Sequence, residues 1–231
     1  MLPWSLLGTA TVPGDGGEMR LYRRGDEYSI RVGAYELMNS RVHASEDALA
    51  WLVCERLGAS NASAARELLI GGLGMGFTLA GVLERCGAGV RVVVAELVPA
   101  VVEWNRGALG DVAGNPLADR RVVVEQDDVA AVMKRGRGKY DAILLDVDNG
   151  PSGLTAKAND RLYTAAGLKT AFDALRPNGI LAVWSAGADP AFTRRLQQAG
   201  FLAEEVPVRG RTANKGPRFL IWLARRPAAR A

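Results

Sequence analysis

The stretch Glu67-Leu-Leu-Ile-Gly-Gly-Leu-Gly-Met-Gly-Phe-Thr-Leu-Ala80 constrains this chain more than any other. Leu68–Ile70 is a short unbroken apolar run, as in a parallel strand buried on both faces, and glycines at 71, 72, 74 and 76 follow it at once. Glycine admits positive φ and leaves bare backbone for close approach. A helix opening near Met75 turns its free N–H groups and positive dipole end toward whatever lies there. Gly71, Gly72, Gly74 and Gly76 therefore read as a ligand turn whose natural occupant is an anionic or strongly polar nucleotide tail.

A glycine run alone also fits an incidental tight turn, so the next strand matters. Arg91-Val-Val-Val-Ala-Glu-Leu97 places Glu96 roughly two dozen residues past the first glycine, where a doubly wound sheet holds the carboxylate that accepts both ribose hydroxyls. Strand, turn, helix and strand-terminal acid agree on a nucleoside-binding α/β domain.

Composition bounds the rest. A chain of 231 residues, 48% hydrophobic and 23% charged, has the makings of one sizeable core with a small appendage. Met1–Leu7 lacks the basic flank and long apolar run of a signal peptide or membrane span. Cys54 and Cys86 suggest neither a disulfide framework nor a metal knuckle, which fits a cytoplasmic location. The net charge of +4 owes much to the tail Arg225–Arg230 and does not require a nucleic-acid partner.

Taken in order, residues 1–18 read as an irregular arm. Two strands, 19–24 and 27–32, flank Gly25-Asp26 as a hairpin, and a third near 35–38 completes a small meander, too little to fold alone. Helix 46–57 follows, with Ser45 as its cap. From the glycine turn onward the pattern is strictly βαβ: helix 75–86, strand 90–96, helix 99–107, strand 121–125, helix 129–135, strand 140–146. Then come helix 158–175, a turn at Pro177-Asn178-Gly179, strand 180–184, helix 190–199 and strands 201–208 and 218–223. The last two strands are joined by too short a loop for a crossover and must pair antiparallel, the mark of a methyltransferase-type Rossmann sheet. The expected division is a small β region over 1–44, a Rossmann-like catalytic domain over 45–224 and a basic tail over 225–231.

Ligands gather outside the carboxyl ends of such strands. There Asp127 or Asp128 is placed to accept from an adenine amine, the other capping the following helix, and Leu97 to cover the ring. Asp146, in Asp146-Val-Asp-Asn-Gly-Pro151, stands at the sheet mouth, and with Asp148 it could orient an acceptor amine and take its proton. His43, Glu46, Tyr163, Trp184 and Arg211 are candidate substrate contacts, Arg211 from a basic loop over 209–218 expected on the ligand side.

From about residue 38 to 206 the chain resembles the spermidine synthase family, within the class I methyltransferase fold. Ile70-Gly-Gly-Leu-Gly-Met-Gly76 stands where that family has Gly-Gly-Gly-Asp-Gly-Gly, Val94-Ala-Glu-Leu97 matches its ribose-binding Glu, and Gln126-Asp127-Asp128 its adenine-side segment. Asp146–Pro151 resembles its catalytic loop Asp-Ser-Ser-Asp-Pro-x-Gly-Pro, shortened by about two residues. Leu162-Tyr163 and Leu175–Leu181 look like its later features. Ser45-Glu46 shows no counterpart of the Tyr-Gln pair used around its diamine, and Gly74 replaces the turn's Asp, which the resemblance implies lies beside the ammonium tail of decarboxylated S-adenosylmethionine. An acid there suits a bare cation and repels the carboxylate of S-adenosylmethionine itself.

The sequence reading is thus a transferase binding S-adenosylmethionine, or its decarboxylated form, without metal. Methyl transfer to a small-molecule acceptor is favoured; aminopropyl transfer to a polyamine is the alternative, and a non-catalytic nucleoside-binding or assembly protein the third reading. The resemblance and the meagre N-terminal sheet imply a homodimer.

Overall fold

Alternation of apolar and polar residues gives the N-terminal segment one buried and one wet face. In the computed structural model, which describes residues 2–13, 17–58, 65–147, 151, 159–211 and 215–228, β1 (Ser5–Thr11), β2 (Glu18–Arg24), β3 (Glu27–Val32) and β4 (Tyr35–Asn39) form an antiparallel sheet in that order. Leu21 of β2 sits opposite Ile30 of β3, both buried, while Arg20 stays exposed. The expected irregular arm over 1–18 is corrected: it contains β1. This edge strand buries little, so its sequence shows no alternation. Its Gly8 lies so close to the Trp104 indole that a Cβ there would be 2.7 Å from Nε1.

Runs of Val, Ile and Leu build the second sheet, because strands covered on both faces need apolar residues at every position. Its strands are β5 (Arg66–Gly71), β6 (Val90–Ala95), β7 (Val122–Glu125), β8 (Tyr140–Leu145), β9 (Leu175–Ser185), β10 (Leu202–Arg211) and β11 (Lys215–Arg225), in the order β10-β11-β9-β8-β5-β6-β7. β11 is antiparallel to both its neighbours, and the other pairings are parallel, as the sequence required. Leu68, Ile70, Val92 and Val94 face α1 (Ala44–Arg56), α2 (Phe77–Arg85), α3 (Pro99–Arg106) and the N-terminal sheet. Leu69, Val93 and Ile143 face α4 (Val129–Arg135), α5 (Ala165–Ala174) and α6 (Pro190–Gln198). Strand order reverses at β5, between β6 and β8, so the crevice opens at the carboxyl ends of β5 and β8.

Several boundaries differ from expectation for local reasons. His43, not Ser45, takes the N-cap position of α1, without a side-chain cap. The expected helix over 158–175 is a 3₁₀ turn, Asn159–Tyr163, followed by α5, because the Thr164 hydroxyl accepts the Gly167 N–H at 3.2 Å and starts a new helix. β9 begins at Leu175 and absorbs the expected turn, its Asn178 at φ 67°. Arg225 and Arg226, assigned to a tail, belong to the fold: Arg225 ends β11 and Arg226 Nη1 donates to the Leu175 carbonyl at 2.6 Å.

The cysteine expectation is overturned. Cys54 of α1 and Cys86, just past α2, form a disulfide with Cα atoms 5.3 Å apart. The pairing is 32 residues apart in sequence and follows from the close crossing of α1 on α2, where a Cβ on Gly81 would be 2.8 Å from the Ala50 methyl. Disulfides persist where the surroundings oxidise, so the cytoplasmic expectation loses the support it drew from free thiols. Among the described residues no helix is long and apolar enough to cross a membrane.

Candidate functional site

The glycine turn is shaped by what presses on it. Gly72 and Gly74 have φ of 83° and 53°. A Cβ on Gly72 would lie 2.7 Å from the Asp146 carbonyl oxygen, and one on Gly74 2.9 Å from the Met38 sulfur. Both line a cleft between the N-terminal sheet and the carboxyl ends of the central strands. Gly71 and Gly76 do not line it: Gly71 is the last residue of β5, and Gly76 is the N-cap of α2, which opens at Phe77, two residues later than expected. Asn105 of α3 holds the turn by donating to the Gly74 carbonyl at 2.8 Å.

Glu96 follows β6 and is buried on the cleft wall. Its Oε2 accepts the Leu73 N–H and its Oε1 the Val98 N–H, each at 2.8 Å. Burial raises its pKa above the ordinary carboxylate range, against the pull of those amides. It therefore clamps the turn's backbone from the side while facing the cleft. Leu97, 38% exposed, stands on the rim.

Asp127 and Asp128 follow β7 and both reach the cleft. Asp128 caps α4 by accepting from Ala130 N at 2.7 Å and pairs with Arg161. Asp127 accepts the Asp128 N–H at 2.8 Å and pairs with Arg135 at 2.7 Å, which leaves it second lone pairs for an amine. Of the two, Asp128 is the cap, one of the alternatives the sequence left open, and Asp127 is the acid tied to Arg135 at the cleft.

Asp146 follows β8 at the centre of the crevice. Its backbone N–H donates to the Gly71 carbonyl at 3.0 Å, and its Oδ2 accepts from the Thr78 hydroxyl, in the first turn of α2, at 2.7 Å. Burial raises its pKa, and the Thr78 bond opposes the rise. Facing it is Glu46 in the first turn of α1, whose Oε2 accepts from Ser45 Oγ at 2.5 Å. Burial, and then the Asp146 charge, push Glu46 up to about 7. Trp184, at the end of β9, closes this wall. Its Nε1 is inaccessible to solvent and meets no acceptor among the described residues.

Two candidate contacts lie elsewhere. His43 stacks on Phe77 with centroids 4.0 Å apart, its Nδ1 3.0 Å from Asp47, whose carboxylate raises the imidazole pKa; it does not line the cleft. Tyr163 is buried behind the wall, its hydroxyl donating to the Val147 carbonyl at 3.5 Å. Asp148 and the Arg211 side chain fall outside the described residues. The sequence reading missed the apolar wall, Met19, Ile30, Leu37 and Met38 of the N-terminal sheet, and also Thr78. The meander's alternation was the signal for the first. Nothing in the pattern singled out the second.

The family model described as the spermine/spermidine synthase domain matches residues 56–198, more than half of the chain. The chain belongs to this family. No curated protein matches it in sequence. Among solved structures it is similar to a spermidine synthase in complex with the transition-state analogue AdoDATO (TM-score 0.73, 16% identity, covering 96% of this chain and 73% of that one). It is also similar to the spermidine synthase of Thermotoga maritima (0.72, 15%, 96% and 73%) and to a probable spermidine synthase from Corynebacterium glutamicum (0.61, 16%, 96% and 79%). At these identities the likeness is one of fold, and it takes in the N-terminal sheet. As a spermine/spermidine synthase domain protein the chain is a transferase, and the matched segment holds the glycine turn, Glu96, Asp127 and Asp146. Glu46 lies outside that segment.

Proposed function

We propose that this protein transfers an aminopropyl group from decarboxylated S-adenosylmethionine to an amine. One observation carries the reading: the cleft is lined by five carboxylates and no basic side chain among the described residues, and while Asp127 and Asp128 are paired outside it with Arg135 and Arg161, Glu46, Glu96 and Asp146 have no ion-pair partner among the described residues. Such a field suits a donor that ends in an ammonium and an acceptor that is itself a cation, and offers no side-chain partner to a carboxylate tail. The family and the similar structures point the same way.

The preference for methyl transfer rested on Gly74, and packing removes that argument. The end of the Met38 side chain lies where a side chain at 74 would go, so the missing acid has a packing reason and does not by itself report the donor's charge.

In the reaction, the acceptor nitrogen attacks the carbon next to the sulfonium in line with the departing sulfur. The C–N bond forms, the C–S bond breaks with its electron pair going to sulfur, and the ammonium proton passes to Asp146. The turn and Glu96 hold the nucleoside, and Asp127 marks its adenine. The assay supplies both donors with a panel of amines. Methylthioadenosine together with an aminopropylated amine is expected; adenosylhomocysteine alone would overturn the reading. Asp146→Asn should lower kcat by roughly a hundredfold or more while leaving donor binding intact.

A further inference from the structure

Two of the cleft's acids come from opposite walls and act on each other. Asp146 is pinned at the end of β8 by Thr78 and by the Gly71 carbonyl; Glu46 projects from the first turn of α1, held by Ser45. Both line the cleft, and their charges interact across it. The remaining charged group acting on Glu46 is His43, at the start of its own helix and tied to Asp47. Near this end of α1 the β10–β11 hairpin sets Gly210 against Val42 and carries Arg218 and Arg209, the latter donating to the Gly216 carbonyl at 3.3 Å. Arg85 of α2 is turned to Glu84 and the Gly81 carbonyl, Glu204 of β10 pairs with Arg56 at the far end of the helix, and β9 contributes Trp184. Two like charges in a partly desolvated cleft are relieved by sharing a proton, or by cations that enter from solution.

We propose that Glu46 is a specificity-determining residue of the acceptor site: with Asp146 it forms a carboxylate pair that holds one proton in the free enzyme and releases it when a diamine brings in two ammonium groups. A monoamine of the same length supplies one positive charge, which the singly ionised pair already balances, so it displaces no proton. Between the two charges, a methylene chain lies against Met38 and Leu37. The assignment rests on the aminopropyl-transfer reading for the acceptor's chemistry, but its test needs no turnover.

The test is titration calorimetry at pH 7 with 1,4-diaminobutane and with 1-aminobutane, in two buffers of different ionisation heat, on the wild-type protein and on Glu46→Gln. The wild type should bind the diamine about tenfold more tightly than the monoamine and release about half a proton with it. Glu46→Gln should lose both the preference and the proton release, with methylthioadenosine binding unchanged as the control for folding. A merely structural role for Glu46 would leave the proton count untouched. The proposal is overturned if the wild type shows no preference and no proton release, or if Glu46→Gln keeps both. If the wild type behaves as expected yet forms no methylthioadenosine from either donor, the reaction assigned above is wrong and the acceptor site stands.

Discussion

At Asp146 a single hydroxyl opposes the effect of burial. The Thr78 bond favours the ionised carboxylate, so Thr78→Val should let the Asp146 pKa rise further and move the acidic limb of kcat/KM for the amine to higher pH by about one unit. A pH–rate profile reads this directly, and an unmoved limb would show that Asp146 is not the proton acceptor. Glu46 makes the same physics visible in stability. Its pKa is about 7 in the folded chain against 4.5 for an ordinary glutamate, so the folded state binds the proton more tightly. That contribution is complete below pH 4.5 and is lost as pH rises toward 7. Glu46→Gln should therefore gain about 1–3 kcal/mol on the wild type between roughly pH 5 and pH 8, measured by urea unfolding at each pH. A constant difference would mean that folding does not raise the Glu46 pKa.

Among elements, the glycine turn and the N-terminal sheet depend on each other through Gly74 and Met38. Gly74→Ala forces a side chain into positive φ and against the Met38 sulfur, and should cost about 1–3 kcal/mol and weaken donor binding. Adding Met38→Ala should restore the part due to the clash and leave the backbone part. A double-mutant cycle on methylthioadenosine affinity separates the two, and strict additivity would deny the contact. This contact also shows where sequence reading ends. The parallel strands, their order of succession and the antiparallel β11 were legible because continuous Val and Ile runs between helical segments admit few topologies, and Glu96, Asp127 and Asp146 were legible because each closes such a run. β1 escaped because an exposed edge strand has no alternation to detect. Glu46 was named only as a weak substrate contact because its neighbourhood arises from α1 folding back across β8. Gly74 could not decide between the donors, because a one-letter pattern does not show that a methionine from another sheet lies against that position.

At the scale of the whole molecule, the four-stranded sheet leaves Leu2, Leu6 and Tyr35 exposed, at 67%, 53% and 68%, and the homodimer expected from the sequence would cover this surface. Sedimentation should give a dimer that Leu6→Glu dissociates. The Cys54–Cys86 bond reaches further, because the loop it closes contains β5, the glycine turn and α2, the unit that organises the cleft. Reduction gives the unfolded chain back the entropy of that loop, so the folded state should lose about 2–4 kcal/mol. For a chain of this size that is a fall in Tm of roughly 5–15 °C, read by scanning calorimetry with and without reductant. Because α1 carries Glu46 and α2 carries Thr78, the bond also fixes the spacing of the two cleft acids. Reduction should therefore weaken diamine binding well below the melting temperature, at a point where the far-ultraviolet dichroism is unchanged. A Cys54→Ser, Cys86→Ser double variant that melts with the oxidised wild type, or two reactive thiols in freshly purified native protein, would show that the bond does not form in solution, and would return the cysteines to the reduced state first read from the sequence.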